Sequence, residues 1–173
     1  MPSQTSFRKV NQNELEQLRD IAVLTFINTY QHLNEPNNFQ NYINENFSLS
    51  KLTEEFNNPF SQFYFLELND KVIGYLKLNT NDAQTDKVGE NCTEIERIYV
   101  LREQQGNGFG KLLINESISI AKADNFQFIW LGVWELNKSA IAFYEKMGFV
   151  AFDTHNFKVS NELQTDILMK LSL

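Results

Sequence analysis

The stretch that most constrains what this chain can fold into is the run Glu94-Ile95-Glu96-Arg97-Ile98-Tyr99-Val100, followed after a short break by Gln105-Gly106-Asn107-Gly108-Phe109-Gly110-Lys111-Leu112-Leu113. A strand that stops, turns through glycines at every second position and opens directly into an amphipathic helix is the anatomy of an anion cradle. Glycine lets the backbone approach a ligand without side-chain interference, and successive N–H groups converge at the positive end of the helix that follows. The expected ligand is a phosphate-bearing cofactor.

Spacing separates the phosphate loops that compete for this stretch. A dinucleotide fingerprint G-x-G-x-x-G needs its third glycine where Lys111 stands, and a Walker-type loop needs glycine at Gln105 and a hydroxyl at Leu112. What remains is Gln105-x-x-Gly108-x-Gly110, which resembles the Q/R-x-x-G-x-G/A pyrophosphate loop of the GNAT superfamily of acetyl-CoA-dependent N-acetyltransferases. Glycines serving only a tight strand-to-helix turn would look the same over so short a match, so the rest of the chain has to decide.

A length of 173 residues with 42% hydrophobic content fits one globular domain, residues 1–173, with a sizeable core. There is no apolar stretch of the roughly 18 residues a membrane span needs, and Met1-Pro2-Ser3-Gln4-Thr5 lacks a basic and then apolar signal region, so a cytoplasmic location is expected. The single cysteine, Cys92, cannot form an intramolecular disulfide. The two histidines, His32 and His155, are far apart in sequence and support neither a metal site nor a Ser/His/Asp triad; both are expected at the surface or in packing. A net charge of -7 argues against a nucleic-acid surface and favours cationic small molecules. An anionic cofactor then needs local positive charge, for which Arg102, Lys111, Lys138 and Lys146 are the candidates.

Along the chain, Ser6 to Val10 predicts a first strand, and Asn11 with Glu14 resembles a capping box opening a helix to about Tyr30 on the stripe Leu15, Leu18, Ala22, Thr25 and Phe26. His32 to Asn38 is expected as a loop, then short helices over Phe39 to Phe47 and Leu49 to Phe56. Phe63 to Leu68, the turn Asn69-Asp70 and Val72 to Leu78 predict a hairpin, and Asn79 to Asn91 a polar connection. After the glycine loop a helix should reach about Asp124. The nearly continuous apolar run Phe128 to Trp134 predicts a buried central strand. A last helix over Lys138 to Met147 with Gly148 at its end precedes strands around Phe149 to Phe157 and Thr165 to Leu173. Antiparallel strands followed by a β-α-β crossover imply an α/β (α+β) fold, a mixed, mostly antiparallel central sheet flanked by helices.

The segment Asn137 to Phe149 strengthens the resemblance, for it matches the superfamily pattern N-x-x-A-x-x-F-Y-x-x-x-G-F at Asn137, Ala140, Phe143, Tyr144, Gly148 and Phe149. Asn137 stands at an N-cap position and Tyr144 lies nearly two turns on, so both can face one cleft. Ala140, Phe143, Tyr144 and Met147 would also suit a packing stripe. Transfer of acetyl from a thioester to an amine has three needs. Backbone N–H groups near Ile98 and Val100 could polarise the carbonyl. A hydroxyl can protonate the leaving thiolate, and Tyr144 matches the family's general acid. A carboxylate or ordered water must take the amine's proton. Glu96 is the first choice and Glu94 the second, since strand alternation turns both to one face, although either could instead be a surface carboxylate pairing with Arg97 or a lysine. The resemblance assigns cofactor binding to Ile98, Tyr99, Val100, Gln105, Gly106, Asn107, Gly108, Phe109, Gly110, Lys111, Asn137 and Lys146.

A closer likeness spans most of the chain. Thr25 to Tyr30, Ser61 to Phe65, Gly74 to Asn79, Asp82 to Thr85, Glu96 to Val100 and Leu131 to Glu135 resemble the bacterial PaiA-type spermidine/spermine N-acetyltransferases. That family implies acetylation of a polyamine by acetyl-CoA, which an acidic chain suits. Gln105 stands where many relatives carry arginine. Phe26, Tyr30, Glu35 and the Asp82 segment could line the amine pocket. The alternatives are a protein N-terminus, a ribosomal protein or an antibiotic as acceptor, or a module that only senses acyl-CoA. The resemblance also suggests a homodimer.

Overall fold

Asn11 and Glu14 close on each other where the spacing predicts a helix start: the Asn11 N–H donates to Glu14 Oε2 at 2.8 Å and the Glu14 N–H to the Asn11 carbonyl at 3.0 Å. In the computed structural model, which describes residues 4–31, 36–159 and 162–173, this turn follows β1 (Thr5–Lys9) and leads into α1 (Leu15–Tyr30). The inward stripe of α1 is Leu15, Leu18, Ile21, Ala22 and Thr25. His32 and Glu35 lie outside the described residues. Where a loop to Asn38 is expected, α2 (Pro36–Asn46) already begins at Pro36. Proline needs no intrahelical acceptor at the first helical position, and its fixed φ suits it there, so a residue taken as a loop marker serves as a helix start. Ser48 accepts the Lys51 N–H at 3.2 Å and caps α3 (Leu49–Asn57).

The hairpin of β2 (Ser61–Leu68) and β3 (Lys71–Asn79) turns at Asn69 and Asp70, with φ of 50° and 63°. Two successive positive φ values give the turn whose twist matches its flanking strands, and Asn and Asp tolerate them best after glycine. Then come β4 (Cys92–Val100), α4 (Phe109–Ala123), β5 (Phe128–Trp134), α5 (Lys138–Lys146), β6 (Val150–Val159) and β7 (Glu162–Ser172). The seven strands pair in the order β1-β2-β3-β4-β5-β7-β6. β4 and β5 run parallel, with Cys92↔Phe128 to Glu94↔Trp130 in register, while β1/β2, β5/β7 and β6/β7 are antiparallel. This is the mixed sheet with a β-α-β crossover that the pattern implies. Among the described residues no helix is long and apolar enough to cross a membrane.

The chain divides into two compact units, Met1–Lys77 with Arg97–Leu113, and Leu78–Glu96 with Ile114–Leu173. In the first, α1, α2 and the β2–β3 hairpin bury Leu18, Ile21, Ala22, Phe39, Ile43, Phe47, Phe63, Phe65 and Tyr75 in one cluster. Phe26 stacks on Phe39 and Tyr42 with centroids 5.5 and 5.3 Å apart. In the second, Trp130, Cys92 and Leu168 pack with Val88, Phe128 and Phe152.

The first unit also buries charge. Glu55 of α3 lies 3.0 Å from Lys77 Nζ and 2.9 Å from Arg97 Nη1 through Oε2, while its Oε1 accepts from Arg97 Nη2 at 3.0 Å. Lys77 and Arg97 also lie over the rings of Phe63 and Phe47, at 5.5 and 5.2 Å. One carboxylate therefore balances two cations withdrawn from water. Removing it leaves both without that partner, so Glu55→Ala should lower stability by about 3–5 kcal/mol, read as a fall in the urea midpoint. Lys51→Ala, which breaks the surface pair with Glu54, should change it by no more than about 0.5 kcal/mol.

Candidate active site

In the first unit, β4 ends at Val100, a short 3-10 turn covers Arg102–Gln104, and the glycine loop leads into α4. Gly106 and Gly108 sit at φ +80° and +85°, a conformation that side chains other than glycine rarely adopt, and a Cβ added at either would meet nothing within 4 Å. Glycine is thus required by the backbone there, while the space above stays open. The first hydrogen bond to close α4 is Leu112 N–H to the Gly108 carbonyl at 3.0 Å, so the N–H groups of Phe109, Gly110 and Lys111 precede the helical ladder. Outward amides, a positive helix end and open approach fit a phosphate group. Gln105 donates from Nε2 to the Val100 carbonyl at 3.2 Å, and Asn107 donates to the Gln104 carbonyl at 3.2 Å. Both side chains bind their own loop. Arg102 and Lys111 are exposed.

The strand leading into this loop is held closely. Leu101 N–H donates to the Ile73 carbonyl at 2.8 Å, and Tyr99 stacks on Tyr75 at 5.7 Å. A Cβ on Gly74 would stand 2.7 Å from the Tyr99 carbonyl oxygen, so β3 carries glycine where the two backbones come too close for a side chain. Ile98, Tyr99 and Val100 are half-buried.

In the second unit, Glu94 and Glu96 share a face of β4, as alternation predicts, and Asn79 joins them. Its Nδ2 donates to Glu94 Oε2 at 3.3 Å and, over a short contact, to Glu96 Oε2. Arg97 pairs with Glu55. Glu94 is only 2% exposed and accepts further hydrogen bonds from the Thr85 N–H at 2.8 Å and the Thr85 hydroxyl. Burial pushes its carboxyl up to about 7, against the pull of the Thr85 hydrogen bonds and with a further push from Glu96. Gln84 fixes the neighbouring turn by accepting from Trp130 Nε1 at 2.7 Å and Cys92 Sγ at 3.4 Å.

Asn79, expected to begin a polar connection, instead ends β3 and is fully buried. Its signal was a polar residue closing an apolar strand; Thr85 and Gln84 had none beyond the family-like block Asp82 to Thr85. Asp82 itself is exposed in the 3-10 turn Asn81–Ala83. Phe26 and Tyr30 pack against the first core.

α5 starts where expected, with Asn137 Oδ1 accepting from the Ala140 N–H at 3.2 Å. It ends on Gly148 at φ +93°, with Gly148 N–H bonded to the Glu145 carbonyl and Phe149 N–H to the Tyr144 carbonyl, both at 3.0 Å. This crossed pair of bonds is the glycine-terminated end that the sequence pattern predicts. Tyr144 is half-buried and its ring lies 5.4 Å from Phe143 and 5.9 Å from Phe149. Lys138 and Lys146 are exposed, Lys146 in the last turn, where a cation suits the helix dipole. His155 is a half-exposed surface residue bonded through Nδ1 to Asp86 Oδ1 at 2.9 Å.

The family model for the acetyltransferase (GNAT) family matches residues 15–149. An uncharacterized N-acetyltransferase in the pepI 3'region of Lactobacillus delbrueckii subsp. lactis is 36% identical over 165 residues, 95% of each chain. Spermidine N(1)-acetyltransferase of Thermoplasma acidophilum is 28% identical over 151 residues, 85% of this chain and 89% of that one. Among solved structures, PaiA N-acetyltransferase from Thermoplasma acidophilum in complex with coenzyme A shares the fold with a TM-score of 0.80 at 24% identity, covering 98% of this chain and 99% of that one.

The raised Glu94 carboxyl makes stability depend on pH. The unfolded chain releases this proton near its ordinary value of 4.5, while the native chain holds it to about 7, so stability falls as pH rises through that window. Glu94→Gln removes the titration. Wild type should lose about 2–3 kcal/mol more than the variant between pH 5 and pH 8, measured from urea midpoints. Asp166, pushed up to about 6 by its own burial, adds the same decline to both proteins and cancels.

Proposed function

We propose that this chain, which belongs to the acetyltransferase (GNAT) family and uses acetyl-CoA, transfers acetyl to a primary amine of the polyamine class, spermidine or spermine. The observation that carries the acceptor reading is the pair Glu94 and Glu96, gathered on one face of β4 by Asn79: a buried carboxyl beside a half-buried one, Glu96, that can meet an ammonium and take its proton. The net charge of -7 and the 28% identity to a spermidine N(1)-acetyltransferase support it. The family match runs through segments of both units, which supports reading residues 1–173 as one domain.

Acetyl-CoA supplies the acetyl group already activated as a thioester. In this reading the backbone amides from Gln105 to Lys111, including those of Gly106, Asn107, Gly108, Phe109 and Gly110, hold its diphosphate, with Lys146 adding positive charge and Asn137 orienting the cofactor. N–H groups near Ile98 and Val100 polarise the carbonyl, with Tyr99 between them lining the cofactor. Glu96, or Glu94 in its place, removes a proton from the acceptor nitrogen, freeing the lone pair that attacks. Tyr144 Oη gives a proton to the departing sulfur. The charges balance: the ammonium gives one proton to the carboxylate before attack, the same nitrogen gives up a second as the amide forms, and that second proton restores the phenol that has protonated the departing thiolate.

Mass spectrometry of spermidine and spermine incubated with the protein and acetyl-CoA should show a single acetyl added to each. Acetylation of a peptide N-terminus or streptothricin with both polyamines untouched would overturn the substrate class, and no transfer to any amine would favour an acyl-CoA sensor. Tyr144→Phe should lower kcat about 100-fold with the KM of the amine little changed; unchanged turnover removes it as the acid. Gly108→Ala forces a side chain into the left-handed region facing the phosphate, and should raise the KM for acetyl-CoA about 10-fold while kcat falls less.

A further inference from the structure

Buried asparagine is rare unless its donors are used, and Asn79 is fully buried with its amide nitrogen donating to both carboxylates. Its main-chain carbonyl accepts from the Thr93 hydroxyl at 3.0 Å, so the neighbouring strand also fixes the residue itself. Thr85 holds Glu94 through its N–H and hydroxyl. The two carboxylates differ in burial: Glu94 is buried among three donors, and Glu96 is half-buried and accepts from the same amide.

Resting on the reading that Glu96 takes the acceptor's proton, we propose that Asn79 is a positioning residue for that step, bridging the two carboxylates and fixing the plane in which Glu96 meets the ammonium. A carboxamide suits the task because it offers two donors and no charge. A lysine would neutralise the surface that attracts the amine, and an aspartate would add repulsion. The step itself is unchanged: the N–H bond of the ammonium breaks, the proton passes to a Glu96 oxygen, and the electron pair remains on nitrogen.

The test is a double-mutant cycle in steady-state kinetics with spermidine and acetyl-CoA. Asn79→Ala should lower kcat/KM for spermidine about 10-fold and leave the KM for acetyl-CoA within about two-fold. In a Glu96→Gln background the same substitution should change kcat/KM by less than about two-fold, because Asn79 acts through Glu96. Asn79→Asp, nearly the same size, covers the case in which the alanine variant does not fold. It sets a third acid beside Glu94 and Glu96, with Cys92 next to them by strand alternation and Arg97 and Tyr99 on the alternate positions of β4, and should move the acidic limb of kcat/KM upward by about one pH unit. Equal losses in both backgrounds, or an acidic limb that stays in place, overturn the proposal and leave Asn79 a packing residue. Wild-type activity in Glu96→Gln, or no acetylation of spermidine at all, overturns it by removing the reading beneath it. A Glu96→Gln defect with neutral Asn79 variants overturns the positioning role alone.

Discussion

A carboxylate withdrawn from water must be met by hydrogen bonds or give up its charge, and Glu94 places that demand at the centre of the second unit. Three donors on two residues answer it, and each residue fixes the path of its own segment. Asn79 is drawn into the end of β3, and Thr85 must stand beside β4. Gln84 keeps Thr85 there by accepting from Trp130 and Cys92. The connection between β3 and β4 has little regular structure, yet its course is set by what one side chain of β4 needs. The place of Glu96, two residues along the same strand, follows from the period of the strand.

The first unit meets the same physical problem with charge. Glu55 has two cations as partners, each lying over an aromatic ring, so its attraction is Coulombic where that of Glu94 comes from neutral donors. Glu55 ties α3 to strand residues through its charge, whereas Glu94 holds a strand end and a connecting segment through neutral donors. The glycine loop uses neither device. Main-chain amides at a helix start offer positive potential without side-chain charge.

Much of this architecture was legible in the chain because local rules agree with the fold. The Asn11–Glu14 pair, the Asn69-Asp70 turn, the apolar run of β5 and the glycine ending α5 each depend on residues a few positions apart. The face shared by Glu94 and Glu96 followed from alternation alone. What stayed hidden depends on partners distant in sequence. Nothing near Lys77 announces that Glu55 will sit against it, and Asn79 looks like the start of a loop until its amide is seen between two carboxylates. Pro36 misled because proline is permitted on either side of a helix boundary.

Cys92, the chain's one cysteine, is buried, and desolvation raises its thiol above the ordinary range, with Glu94 nearby adding to the push. Its thiolate fraction at neutral pH is accordingly small, and its sulfur lies beyond the reach of bulky reagents. A disulfide dye added to a running reaction will therefore colour only with sulfhydryls set free from coenzyme A. The native enzyme supplies a clean optical baseline for its own turnover, with no need to mutate the protein first.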